Sequence, residues 1–196
     1  YRGLKIFDTV VSNIKEAKNK VKIVTANMLV TNFNYFKVGE IADFANNELG
    51  VPLSMCFPEQ DAYYFQDFQV TNEMIRKAFS YAYENYHRHV FGNMRTYYKE
   101  AVDFIDGKGS RACKAGQEIF YTDYRGKVHP CFEHVEVVLN KKPQWDIYDN
   151  QCHKCFTECF LEPSIDHTFE AASLIGKIWW FNHVKRRDIK YIDSRR

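Results

Sequence analysis

Apolar residues recur along Phe7–Lys18 at Phe7, Val10, Val11, Ile14 and Ala17, one face of a 3.6-residue period, which predicts an amphipathic helix. Val21–Val30 (VKIVTANMLV) is a dense run rich in β-branched residues and predicts a buried strand. Helical periodicity returns over Tyr35–Leu49, and Gly50 stands where a C-cap glycine belongs. Val51–Phe57 (VPLSMCF) predicts a second buried strand, closed by Pro58. Helix, strand, helix, strand at this spacing is the rhythm of a parallel βαβ sheet. Two strands alone leave raw edges, so neighbouring strands of an open sheet or a barrel are expected, supplied by sequence ahead of Tyr1.

After a linker over Phe65–Val70, the pattern predicts helices over Thr71–Tyr86 and Phe91–Asp106, with Thr71 and Glu73 as capping chemistry for the first. Gly107, Gly109 and Ser110 break the chain. Gln117–Pro130 then reads as a β-hairpin turning at Asp123–Gly126. Ser164–Arg187 reads as a last helix, with Ser164 as its cap, Asp166 in its first turn, and Lys185, Arg186 and Arg187 against the dipole at its end.

Composition narrows the class. The chain has 196 residues, 45% of them apolar, and a formal net charge of +2. That suits one domain with a small appendix, and no strong field argues for nucleic acid. The 13 Tyr and 16 Phe are spread along the chain, as core packing would spread them. The longest apolar stretch, Ala171–Phe181, is interrupted by Lys177 and is far shorter than the roughly 20 residues of a membrane span. No secretory leader is visible at YRGLKIFDTV, so a cytoplasmic, reducing setting is expected, in which grouped cysteines favour metals over disulfides.

Five of the six cysteines form one constellation: Cys113 and Cys131 flank the hairpin, and Cys152, Cys155 and Cys159 follow in CHKCFTEC. Thiolates at C-x-x-C spacing bind soft metals. A structural zinc site is one reading, although the Cys113–Cys131 separation is long for a zinc pair. An iron–sulfur cluster is the other. His129 and His153 adjoin the cysteines as alternative or supporting ligands, or as plain hairpin and surface residues. Cys56 reads as a buried packing residue at a strand end. His87 and His89 flank Arg88 without a visible partner.

Cys113, the hairpin IFYTDYRGKVHPC with Gly126 and Cys131, and the downstream C-x2-C-x3-C together resemble the SPASM/Twitch auxiliary-cluster domain of radical SAM enzymes. Upstream, FDTVVSNIKEAK, VKIVTANMLVTNFNY and VPLSMCFPEQ resemble the later βα units of the radical SAM partial barrel. The resemblance implies an α/β fold. Residues 1–66 are the closing units of a partial (β/α)6 barrel, 67–110 are connecting helices, and 111–196 are a Twitch-like hairpin-plus-helix cluster domain. It implies one auxiliary 4Fe–4S cluster on four of Cys113, Cys131, Cys152, Cys155 and Cys159, with no choice made among the last three. It implies contacts to S-adenosyl-L-methionine near Asn27, Thr31, Asn32, Ser54 and Met55. The defining C-x3-C-x2-C loop is absent, and five cysteines stand here against the seven of a full SPASM set, without the x5 cysteine. The expectation is therefore the C-terminal portion of an oxidoreductase whose second 4Fe–4S cluster and S-adenosyl-L-methionine belong to the full-length enzyme. A peptide or small-molecule substrate and an electron donor such as flavodoxin or ferredoxin are implied, without nucleic acid or a membrane span. The alternative is a non-enzymatic zinc or iron–sulfur module serving as a structural or interaction domain.

Overall fold

A computed structural model describes residues 6–56, 70–109, 111–139, 156, 162–165 and 168–185. Cys152, Cys155, Cys159, His153, Asp166 and the 65–69 part of the expected linker lie outside the described residues. The described chain mixes helix and strand in the order α1 (Ile6–Lys20), β1 (Ala26–Leu29), α2 (Val38–Asp43), β2 (Leu53–Cys56), α3 (Asn72–Glu84), α4 (Arg95–Ile105), β3 (Tyr121–Thr122), β4 (Val128–His129) and α5 (Thr168–Trp180). A wide, π-helical turn extends α2 through Phe44–Leu49, and another extends α5 through Phe181–Lys185.

β1 and β2 pair in parallel, with Asn27 opposite Ser54 and Met28 opposite Met55. The crossover is α2 and its wide turn, which ends on Gly50 at φ 62°. That left-handed conformation is one glycine adopts without a Cβ penalty. The second edge of β2 is covered by the Val90–Gly92 segment: Leu53 N–H donates to Val90 O (3.1 Å) and Gly92 N–H to Leu53 O (3.0 Å). The helix expected from Phe91 therefore begins only at Arg95, because strand edge groups need partners and Phe91 is wholly buried in supplying them. The buried side chain of Asn46 locks this edge, donating to Val51 O and Val90 O and accepting from Val90 N–H.

Helix α2 also starts later than its periodicity predicts. Asn34 takes Tyr35, Phe36 and Lys37 into a turn by donating to Leu29 O and accepting from Thr31 N–H, so helical backbone begins at Val38. The α1 face is only partly covered: Phe7 is exposed but meets the Phe44 ring at 5.8 Å, and the Lys18 ammonium donates to Leu49 O.

Helices α3 and α4 pack along each other over the sheet. Thr71 caps α3 by accepting from Met74 N–H at 3.3 Å. Phe79 lies against Tyr97 and Tyr98 (ring centroids 6.0 and 5.9 Å), all three fully buried. Burying such a ring contributes about 1.5–3 kcal/mol. The Tyr97 hydroxyl ties the layer to the sheet by donating to Met55 O at 3.2 Å.

His89, without a visible partner in the sequence, has two in space. It is 2% exposed; Nε2 is 3.1 Å from the Tyr81 hydroxyl and Nδ1 is 3.3 Å from Asp43 Oδ1. The carboxylate assigns the proton to Nδ1, so Nε2 accepts from Tyr81. Burial pushes the His89 pKa down; Asp43 opposes this, but its carboxylate is well exposed and screened by water. A histidine depressed in the folded state leaves the unfolded chain binding more protons. Its stabilisation is complete above the unfolded pKa of 6.5 and is lost as pH falls below it toward the folded value. Urea unfolding at pH 7.5 and at pH 5 should show the loss, and His89→Gln should flatten the part of the slope nearest 6.5. An unchanged slope in that variant would mean His89 is not the titrating group.

Candidate metal centre

Two of the five grouped cysteines are described, and both are buried: Cys113 is 8% and Cys131 is 9% exposed. Cys113 lies in extended chain after α4. The Gly107 and Gly109 backbones that lead into it sit at φ 76° and 81°. Ala115 N–H donates to Cys113 Sγ at 3.4 Å. Cys131 follows β4 through the buried Pro130, and its carbonyl accepts from His134 N–H at 3.2 Å.

The hairpin between them turns where its sequence predicts. Asp123 Oδ1 accepts from Arg125 N–H (2.9 Å) and Lys127 N–H (2.8 Å), and Gly126 takes φ 76°. Burial pushes the Asp123 carboxyl up, but these backbone donors and His129 outweigh it and hold it below the usual carboxylate range. His129 is almost fully buried in the hairpin. Its Nδ1–H donates to Val137 O at 2.9 Å, while Nε2 has no hydrogen-bond partner among the described residues and faces Asp123 Oδ2 at 3.5 Å.

The Cys113 segment is pinned to chain that flanks the second half of the constellation. Lys114 N–H donates to Ser164 Oγ at 2.9 Å, and Arg111 reaches Ser164 O at 3.4 Å while pairing with Glu100 through two nitrogens. The Ser164 hydroxyl, expected as the cap of the last helix, accepts from the half-buried amide of Lys114, and the described backbone of that helix starts at Thr168. Phe156, next in sequence to Cys155, is buried against Tyr97 (5.2 Å) and Phe104 (5.7 Å).

Two carboxylates from the same distal stretch bind the start of α4. Glu162 accepts from Met94 N–H and from Asn93 Nδ2 (2.8 Å), and Glu170 accepts from Thr96 N–H (2.7 Å) and the Thr96 hydroxyl. Acidic groups at a helix N-terminus satisfy orphan amides and complement the dipole. Burial first, then these two carboxylates, hold the Tyr86 hydroxyl protonated far above its ordinary pKa, and it donates to Asn93 O at 2.9 Å. A cleft of about 410 Å³ opens beside this junction, lined by Tyr83, Tyr86, Arg95, Thr96, Glu170 and Lys177 among others. The lysine is built into the fold: Nζ donates to Tyr86 O and His89 O, both at 3.1 Å, over the Tyr86 ring.

The residues expected near S-adenosyl-L-methionine fall on β1, β2 and the turn after β1. Asn27 is exposed on β1 opposite Ser54, but Ser54 is buried, its hydroxyl packed against Gly92 so closely that a Cβ there would collide with it. Thr31 and Asn32 lie in the turn after β1, and Met55 is wholly buried. Cys56 is half-buried, with Sγ 3.9 Å from Met28 O. Among the described residues no three His, Cys, Asp or Glu side chains come together as a metal-binding group. Cys113 and Cys131 would supply two of the four thiolates that a 4Fe–4S cluster takes. No protein-family model matches this chain, and its comparison with curated proteins and with solved structures finds no match.

Proposed function

We propose that this chain binds one 4Fe–4S cluster through Cys113, Cys131 and two of Cys152, Cys155 and Cys159, as the C-terminal portion of a radical SAM oxidoreductase. The observation that supports the reading is that described residues close in sequence to the second cysteine group meet the Cys113 segment and its core. Ser164, just past Cys159, holds the amide of Lys114, just past Cys113, and Phe156, just past Cys155, is buried in the same core. The parallel β1–β2 pair with its helical crossover supports a partial (β/α)6 barrel upstream, with Asn27, Asn32 and Ser54 toward S-adenosyl-L-methionine. When bound, an auxiliary cluster supplies one-electron transfer to or from a substrate radical, or an anchor for substrate. The residues of this chain exclude water from the thiols and hold the hairpin in register. A peptide or small-molecule substrate, a flavodoxin- or ferredoxin-type donor and a cytoplasmic setting complete the proposal.

Anaerobic reconstitution with iron and sulfide tests it. The expected product is brown, with a broad absorption shoulder near about 400 nm and about four irons per chain. A colourless protein with one zinc per chain would replace the cluster by the structural zinc module.

A further inference from the structure

Helix α5 and the α3–α4 pair are fastened to each other at two places, and the cleft beside Tyr86 lies between the fastenings. Glu170, in the first turn of α5, accepts from Thr96 N–H and the Thr96 hydroxyl. Lys177, in the last turn, donates through Nζ to Tyr86 O and His89 O, both at 3.1 Å. Seven residues separate the two along the helix, a rise of roughly 10 Å. Ser173 and Leu174 stand between them at helical spacing and line the cleft with them. Tyr83 at the end of α3, Tyr86 just after it and Arg95 at the start of α4 form the facing wall. Ties at both ends fix the spacing of the walls, so the cleft is preformed. Like every helix among the described residues, α5 is not long and apolar enough to cross a membrane.

The charges in the cleft do not balance. Arg95 donates through Nε to Tyr83 O (3.3 Å) and lies over the Tyr83 ring at 4.4 Å, and Lys177 lies over the Tyr86 ring at 4.5 Å. Each cation is thus held on an aromatic face, and neither has a carboxylate partner among the described residues. Burial pushes the Lys177 pKa down with no carboxylate to offset it. Four of the five guanidinium donors and one of the three ammonium donors are left for a ligand. Glu170 has both oxygens taken by Thr96, and Lys99 at the rim is matched by Asp103 at 2.6 Å. Two cations against one carboxylate leave a single positive charge, which one monoanion neutralises. A guanidinium fork fits a carboxylate in particular. The cleft volume of about 410 Å³ falls in the range of about 300–1,000 Å³ usual for ligand pockets, so a carboxylate alone would not fill it. Leu174 and the two tyrosines supply apolar surface for the remainder. From a cleft tied at both ends that holds two cations without carboxylate partners, we infer that it binds a small organic monocarboxylate with an apolar body, the carboxylate on Arg95 and Lys177.

Titration of the full chain with 3-phenylpropionate, followed by NMR, tests this. Binding should saturate with a Kd of about 5 mM or tighter, as a ligand of this size allows. The neutral isostere 3-phenylpropanol should bind at least about tenfold more weakly, since it forgoes the charge-assisted bonds. Arg95→Gln should weaken 3-phenylpropionate at least about tenfold for the same reason. Ser173→Phe, which fills the cleft from its α5 wall, should abolish saturation. Arg95 and Ser173 are both exposed, so each variant should keep the circular dichroism of the parent. Absence of saturation in the parent, equal affinity for the alcohol, or binding that survives both substitutions would overturn the inference. Tighter binding of 2-phenylethyl phosphate than of 3-phenylpropionate would overturn the assignment to a monocarboxylate.

Discussion

The Asn93→Ala variant is expected to lose about 3–5 kcal/mol of folding stability, the largest effect of any single substitution in the α4 junction. Asn93 is 0% exposed and joins three parts of the chain. Oδ1 accepts from Met55 N–H on β2 (2.8 Å) and from the Tyr98 hydroxyl on α4 (2.9 Å), and Nδ2 donates to Glu162 (2.8 Å). Truncation strands a buried amide, a buried hydroxyl and part of a carboxylate, at about 1–3 kcal/mol for each unsatisfied group, with partial relief where water enters. The urea midpoint should fall by at least about 1 M, given slopes of about 1–3 kcal/mol/M for small proteins. Asn93→Asp separates the donor from the acceptor role. It keeps both bonds to Oδ1 but sets a second carboxylate against Glu162, so it too should be destabilised, and its stability should recover toward acid pH. A midpoint within about 0.2 M of the parent in both variants would show that the junction carries little stability.

Loss of iron is the second large effect. Cys113→Ala and Cys131→Ala should each bring reconstituted iron from about four per chain to below one after chelator treatment, because a cubane that has lost a thiolate is held by fewer bonds. Cys56→Ala should leave iron unchanged, since Cys56 sits on β2 beside Met28 O and is not one of the five grouped cysteines. Metal analysis after chelator treatment gives the readout, with far-UV circular dichroism to show that each variant folds. Full iron in both hairpin variants would remove Cys113 and Cys131 from the ligand set.

What could be read from the sequence was local. The α1 and α3 periodicities, the Thr71 cap, Gly50 and the Asp123–Gly126 turn all involve partners a few residues apart, and each lies where its pattern puts it. Groups satisfied from a distance were illegible. Nothing in the cap-like composition at Ser164 announces that its hydroxyl serves an amide 50 positions back. His89 showed no partner because Tyr81 and Asp43 reach it only once α2 and α3 are packed. Phe91 carried helical periodicity, but the open edge of β2 draws it into a bridge. The cysteine spacing pointed to soft-metal chemistry. That Cys113 and Cys131 are both buried, and that an amide faces one sulfur, needed the packed hairpin to be seen.

The two carboxylates at the start of α4 also bear on the order of assembly. Glu162 and Glu170 lie 68 and 74 positions beyond the amides they bind. A chain leaving the ribosome therefore exposes the α3–α4 hairpin well before the acids that complete it have been made. Until then the Met94 and Thr96 amides have water in place of these acids, and closing so long a loop is a slow, non-local step. The stretch that follows the last cysteine thus acts as the final clasp of the fold, so the earlier helices stay adjustable until the whole constellation has emerged.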